Sequence, residues 1–128
     1  MTAVPVHTTE PAPENIREMC SYAIDAWFDD ISILTDEATL VQVMRDAAKA
    51  GGATVLDHTS AIFPNGAVTA VLLLAQSHLS VHTWPELGLA NFDLLTCGRL
   101  HGELILEHLR TTLEPSRSNI VRTIRDVR

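Results

Sequence analysis

Between Gln76 and Gly98 the sequence QSHLSVHTWPELGLANFDLLTCG gathers Ser77, His78, His82, Glu86, Asp93 and Cys97, and no other stretch is as rich in reactive groups. A metal site is the first chemistry to test, because His78, His82 and Glu86 recur every four residues and would share one face of a helix. Val81, Thr83 and the stop at Pro85 favour a strand instead. On a strand, four residues span about 13 Å, too far for ligands that must each lie about 2 Å from one ion. No metal is therefore expected. A hydrolase triad would want Ser77 on a Gly-x-Ser-x-Gly elbow ahead of a helix, and that elbow is missing. Taken singly, each residue has an ordinary explanation. His82 reads as a hydrogen-bonded strand histidine, Cys97 as an inert buried thiol, Phe63 as core and Glu86 as a solvated acid.

The elements that must position these groups follow from periodicity. Tyr22, Ile24, Ala26 and Phe28 alternate with Ala23, Asp25, Trp27 and Asp29, a strand pattern after a short helical turn from Glu14. Thr35 or Asp36 can cap a helix whose apolar stripe is Leu40, Val43, Met44 and Ala47, with Lys49 in its last turn and Gly51 just beyond. Ala53 to Leu56 reads as a short strand and Phe63-Pro64-Asn65-Gly66 as a turn. Ala67 to Ala75 reads as a strand buried on both faces or nearly so, and Leu79 to Trp84 continues β-rich. After a turn at Leu87-Gly88, Ala90, Phe92 and Leu94 alternate up to Cys97-Gly98. Leu106, Leu109 and Leu113, with Ile105, form the stripe of a second helix ended by Pro115. The tail SRSNIVRTIRDVR suits a charged edge strand. Short turns between the middle strands exclude parallel crossovers, so the expected fold is α+β, a two-layer sandwich of an antiparallel sheet with two helices on one face. The other face then needs cover, and a symmetric homodimer, sheet to sheet or edge to edge, is the expected supply.

Composition sets the outer limits. The chain has 128 residues with 46% apolar, enough for one domain. Residues 1–14 are expected to be a flexible tail and 15–128 a single domain. A net charge of −7 is the wrong sign for gripping nucleic acid or an anionic membrane. The longest apolar run is about half a membrane span, and the start has no signal-peptide pattern, so a soluble cytoplasmic protein is expected. Cys20 and Cys97 show neither metal-type spacing nor a disulfide framework. Eight of the nine basic side chains are arginine, which leaves Lys49 as the one lysine able to form a Schiff base.

The run Ser77-His78-Leu79-Ser80-Val81-His82-Thr83-Trp84-Pro85-Glu86, with Thr96-Cys97-Gly98 further on, resembles the signature of the prokaryotic S-adenosylmethionine decarboxylase proenzymes. Fainter similarity runs from Gly52-Ala53-Thr54 through the second helix. The resemblance implies a chain that cuts itself between Gln76 and Ser77 and turns Ser77 into a covalent pyruvoyl group, which replaces pyridoxal phosphate. Such a group forms a Schiff base with the substrate amine and accepts the electrons released as carbon dioxide leaves. Lys49, near the end of a surface helix, would be a poor anchor for pyridoxal phosphate. By the same resemblance His82 is the processing base and a proton donor, Cys97 the proton donor in decarboxylation, and Thr69 a support for processing. Phe63 and Glu86 fall at substrate-binding positions, and the product would be the aminopropyl donor for spermidine synthesis. His78 is expected to be structural.

Two departures mark this chain. Gln76 stands where the family has glutamate, but the acyl shift uses the backbone carbonyl, so processing should survive. Ser21-Tyr22 and Ala26-Trp27 replace a glycine-histidine pair and a glutamate beside an aromatic, which could alter the pocket. The alternatives are a pyruvoyl decarboxylase of ornithine or arginine, or an unprocessed regulatory homologue. The pattern also makes a structural demand. Ser77 and His82 differ by an odd number, so a regular strand puts them on opposite faces unless Ser77 precedes the strand or a bulge intervenes.

Overall fold

The computed structural model describes residues 5–11, 18–97 and 100–127. Residues 5–11 are exposed and carry no helix or strand, and the turn expected from Glu14 lies outside the described residues. Six strands follow: β1 (Met19–Trp27), β2 (Val55–Ile62), β3 (Val68–Leu74), β4 (Ser77–Trp84), β5 (Leu89–Cys97) and β6 (Arg117–Arg125). Helix α1 (Glu37–Ala50) joins β1 to β2, and α2 (Gly102–Leu113) joins β5 to β6. The strands form one sheet in the order β2-β3-β4-β5-β1-β6, antiparallel at every pairing. This is the α+β sandwich that the pattern predicts.

The helices form where their caps dictate. The Asp36 carboxylate accepts from the Thr39 N–H at 3.1 Å and from its hydroxyl at 2.7 Å, and these bonds hold the carboxyl below its ordinary pKa. Gly51 closes α1, with Lys49 in the last turn. Leu40, Met44 and Ala47 from α1 and Ile105 and Leu109 from α2 bury against Ile24, Leu72, Leu79, Val81 and Phe92 of the sheet in one core. Gly102 lets α2 start against β1, because a Cβ there would stand 2.5 Å from the Tyr22 ring. Adding it should cost about 1–3 kcal/mol of overpacking.

Two sequence expectations need correction. β3 is buried on one face only: Val68, Ala70, Leu72 and Leu74 face the helices, while Thr69 and Val71 are half-open and Leu73 is 44% exposed. A long apolar run suggests cover on both sides, but this sheet has helices on one. β2 is eight residues rather than a short strand at 53–56, and starts at Val55. Its second half, Thr59-Ser60-Ala61-Ile62, has no apolar alternation and is exposed. Pairing with β3 through the turn, from Ile62↔Val68 onward, makes it a strand.

Strand register sorts the uncovered face into rows across β4, β5, β1 and β6. Trp84, Leu89, Trp27 and Arg117 form the row at one end. His82, Asn91, Asp25 and Asn119 form the next, with Thr69 of β3 beside His82. Ser80, Asp93, Ala23 and Val121 follow, and then His78, Leu95, Ser21 and Thr123. At the Trp84 end the Arg117 guanidinium lies 3.8 Å from the centroid of the Trp27 ring.

Candidate active site

The residues singled out in the sequence, Asp93 apart, fall at two opposite ends of this sheet. The first end is the β3–β4 hairpin. Leu74 pairs with Ser77, leaving Ala75 and Gln76 as a two-residue turn in which the Ala75 N–H donates to the Thr54 carbonyl at 2.9 Å. Gln76 adopts φ +61°, a left-handed conformation that costs a residue with a side chain on the order of 1 kcal/mol. Beside the turn, β5 ends at Cys97, whose thiol donates to the Gln76 carbonyl at 3.3 Å. The Ser77 hydroxyl donates to the Leu95 carbonyl. A hydroxyl, the carbonyl that precedes it and a thiol on that carbonyl are thus adjacent. Burial pushes the Cys97 thiol pKa up, so it stays protonated as a donor through neutral pH.

The second end holds His82, Thr69, Phe63 and Glu86, while Asp93 lies between the ends opposite Ser80. His82 pairs across the sheet with Thr69, and its Nδ1 lies 3.0 Å from the Thr69 hydroxyl. Phe63 leads into the β2–β3 turn, where its N–H donates to the Ala67 carbonyl and its carbonyl accepts from the Gly66 N–H, both at 2.8 Å. Glu86 lies in a 3₁₀ turn (Pro85–Leu87) and accepts from the Asn65 amide at 3.3 Å, which ties the two turns together. His78, next to Ser77 at the first end, is exposed on the open face opposite Leu73 and Leu95.

One chain does not unite the two ends. β4 starts on Ser77 itself and keeps continuous register from Leu74↔Ser77 to Thr69↔His82, so neither a bulge nor a pre-strand position puts Ser77 on the face of His82. The two side chains point to opposite faces about 16 Å apart along the strand. The bulge in this sheet lies in β2, between Val55 and Asp57. No group of three His, Cys, Asp or Glu side chains among the described residues could hold a metal.

The family model described as S-adenosylmethionine decarboxylase matches residues 21–126. The chain belongs to this family. Among its relatives, the S-adenosylmethionine decarboxylase proenzyme of Brevibacillus brevis is 36% identical over 104 residues, 80% of this chain and 78% of that protein. The proenzyme of Methanococcus aeolicus is 34% identical over 99 residues, covering 77% and 85%. That of Synechococcus sp. reaches 45% over 86 residues, covering 66% and 67%. The crystal structure of the adenosylmethionine decarboxylase from Aquifex aeolicus superposes with a TM-score of 0.78 at 26% identity, over 88% of this chain and 93% of that one.

This decarboxylase-family chain also has polar groups that sequence reading did not single out. The Trp84 indole N–H donates to the Asn91 amide oxygen at 2.6 Å, and the Asn91 amide nitrogen donates to Asp25 at 2.7 Å. Alternation alone could place Asn91 and Asp25 on polar faces, but their meeting depends on register between strands 66 residues apart. Among the described residues, no helix is long and apolar enough to cross a membrane.

Proposed function

We propose that this chain is a proenzyme that cleaves itself between Gln76 and Ser77 and decarboxylates S-adenosylmethionine, supplying the aminopropyl donor for spermidine. The observation that carries the reading is the Cys97 thiol on the Gln76 carbonyl, with the Ser77 hydroxyl next in the chain. Attack of the Ser77 oxygen on that carbonyl carbon moves the acyl group from nitrogen to oxygen. The resulting negative charge on the carbonyl oxygen falls where Cys97 already donates. Removal of the Ser77 α-proton expels Gln76 as a carboxylate and leaves dehydroalanine, which tautomerises to an imine. Water then hydrolyses the imine and ammonia departs, giving the pyruvoyl terminus. The residues fit that group, since its precursor serine opens a strand directly beside a protonated thiol. Once formed, the keto-acyl terminus supplies an electron sink for decarboxylation. Cys97 then delivers a proton to the substrate carbon that lost its carboxylate.

His82, Thr69, Phe63 and Glu86 serve the site from a second copy. Two chains packed open face to open face about a two-fold axis, strands running in opposite senses, bring the Ser77 end of one over the His82 end of its partner. His82 there acts as the processing base, with its ring set by the Thr69 hydroxyl 3.0 Å away. Phe63 and Glu86 present an aromatic face and a carboxylate to the adenosyl part of the substrate. The same packing covers the half-open β3 residues and Trp84, which the helices leave bare.

Intact mass after expression tests the first half of the reading: 128 residues should give fragments of 76 and 52, the smaller with a keto terminus. Carboxyl-labelled S-adenosylmethionine should then release carbon dioxide while labelled ornithine and arginine do not. A single uncut chain would sink the enzyme, and release from ornithine or arginine alone would replace its substrate.

A further inference from the structure

The open face carries a polar construction that self-cleavage does not use. Asn91 stands directly across from His82 on one side and from Asp25 on the other. Its amide nitrogen donates to the Asp25 carboxylate at 2.7 Å, and its amide oxygen accepts the Trp84 indole N–H at 2.6 Å. A carboxylate accepts and an indole N–H can only donate, so a single amide orientation satisfies both. Trp84 is two residues beyond His82 on the same strand face, and an indole tied to Asn91 lies along the flank of that histidine. Trp84 is 43% exposed, whereas Asn91 and Asp25 are half-buried. Water could satisfy the N–H of so exposed an indole, and the chain instead spends two side chains from two other strands to hold it.

We propose that Asn91, anchored on Asp25, is a positioning residue that fixes the Trp84 indole beside His82 as one wall of the substrate site. The proposal rests on the reading that the His82 end serves the partner's Ser77. A ring held in place before the substrate arrives need not be ordered by it, and that saving is expressed in binding. Loss of the tether therefore raises KM and leaves the chemical step nearly alone.

The test is steady-state decarboxylation of S-adenosylmethionine by the full-length dimer, with the cleaved fraction of each preparation measured by intact mass. N91A and W84F should each raise KM about fivefold, with kcat changed less than about twofold and cleavage complete. The double variant N91A/W84F should be no worse than N91A alone, since both break one tether. D25A should match N91A, and D25N, whose amide oxygen still accepts from Asn91, should recover most of the loss. An unchanged KM in N91A, additive effects in the double variant, or a fall in kcat and cleavage as KM rises would overturn the proposal. Failure of the underlying reading has a different signature: the parent chain itself stays uncut or releases no carbon dioxide.

Discussion

At its Ser77 end the sheet offers mostly main chain, and at its Trp84 end mostly side chains. The first end gathers the Gln76 carbonyl, the Leu95 carbonyl and a left-handed turn residue, with one hydroxyl and one thiol set upon them. The second gathers an imidazole, a threonine hydroxyl, an exposed phenylalanine, a tethered indole and a carboxylate. Backbone rearrangement needs groups fixed by a hairpin, while recognition of a small molecule needs diverse side chains that can face it. On the proposed reading, bond-making and the final protonation by Cys97 belong to the first end, and recognition with the processing base to the second. In the proposed dimer each site takes one end from each copy.

The largest expected effect separates the ends genetically. S77A removes the proposed nucleophile and H82A the proposed base, and each alone should lower activity at least about a thousandfold. Co-expressed in equal amounts, the two defective chains should recover about a quarter of parental activity, because half the dimers are mixed and each mixed dimer holds one intact site. Activity measured on the co-purified mixture, with tags to isolate mixed dimers, decides the matter. Absence of any recovery would place both residues in a single-chain site and remove the reason for the split.

A smaller effect sharpens the first end. C97A deletes the donor on the Gln76 carbonyl and should slow self-cleavage about 10–100-fold, the worth of one hydrogen bond to a charged group. C97S, which keeps an O–H, should fall between C97A and the parent chain. The pH dependence carries a sign. Burial raises the Cys97 thiol pKa, so the donor persists as pH climbs past the ordinary thiol range and disappears only above the raised value. Cleavage rates followed by intact mass should therefore hold further into alkali than an exposed thiol would allow, and C97S should lack that alkaline fall.

How far the sequence reveals these two ends depends on the range of the interactions that build them. Helix α1 is legible because Asp36, Lys49 and Gly51 act within a turn or two of their own positions. Strands β4 and β5 are legible because Pro85 and the alternation through Phe92 and Leu94 are local, whereas Ser77 and Cys97 are joined in the sequence only by the resemblance and are neighbours through the pairing of the two strands. β2 is misjudged because its polar second half becomes a strand only through pairing with β3. The apolar run of β3 is misread because it suggests two covered faces where one chain covers a single one. The tie between Asp25 and Asn91 is invisible because it requires β1 beside β5, a long-range choice of strand order.

The smallest of the three effects falls on the second end. Phe63 is 49% exposed, and its backbone is fixed by hydrogen bonds to Ala67 and Gly66, so the turn holds out a ring that the core does not need. F63A removes little buried surface and should leave folding and self-cleavage intact. If the ring stacks on the adenine of a substrate bound at the partner's Ser77, its loss should raise KM about tenfold, in line with about 1–3 kcal/mol for one base on one aromatic. F63L, which keeps apolar bulk but not a flat face, should recover only part of that loss, whereas F63Y should recover most of it. The comparison of the two ends then turns on one contrast. C97A should slow cleavage at unchanged folding, and F63A should weaken substrate binding at unchanged cleavage. If F63A impaired cleavage as severely as C97A, Phe63 would belong with the bond-making machinery and the division of labour along β4 would fail.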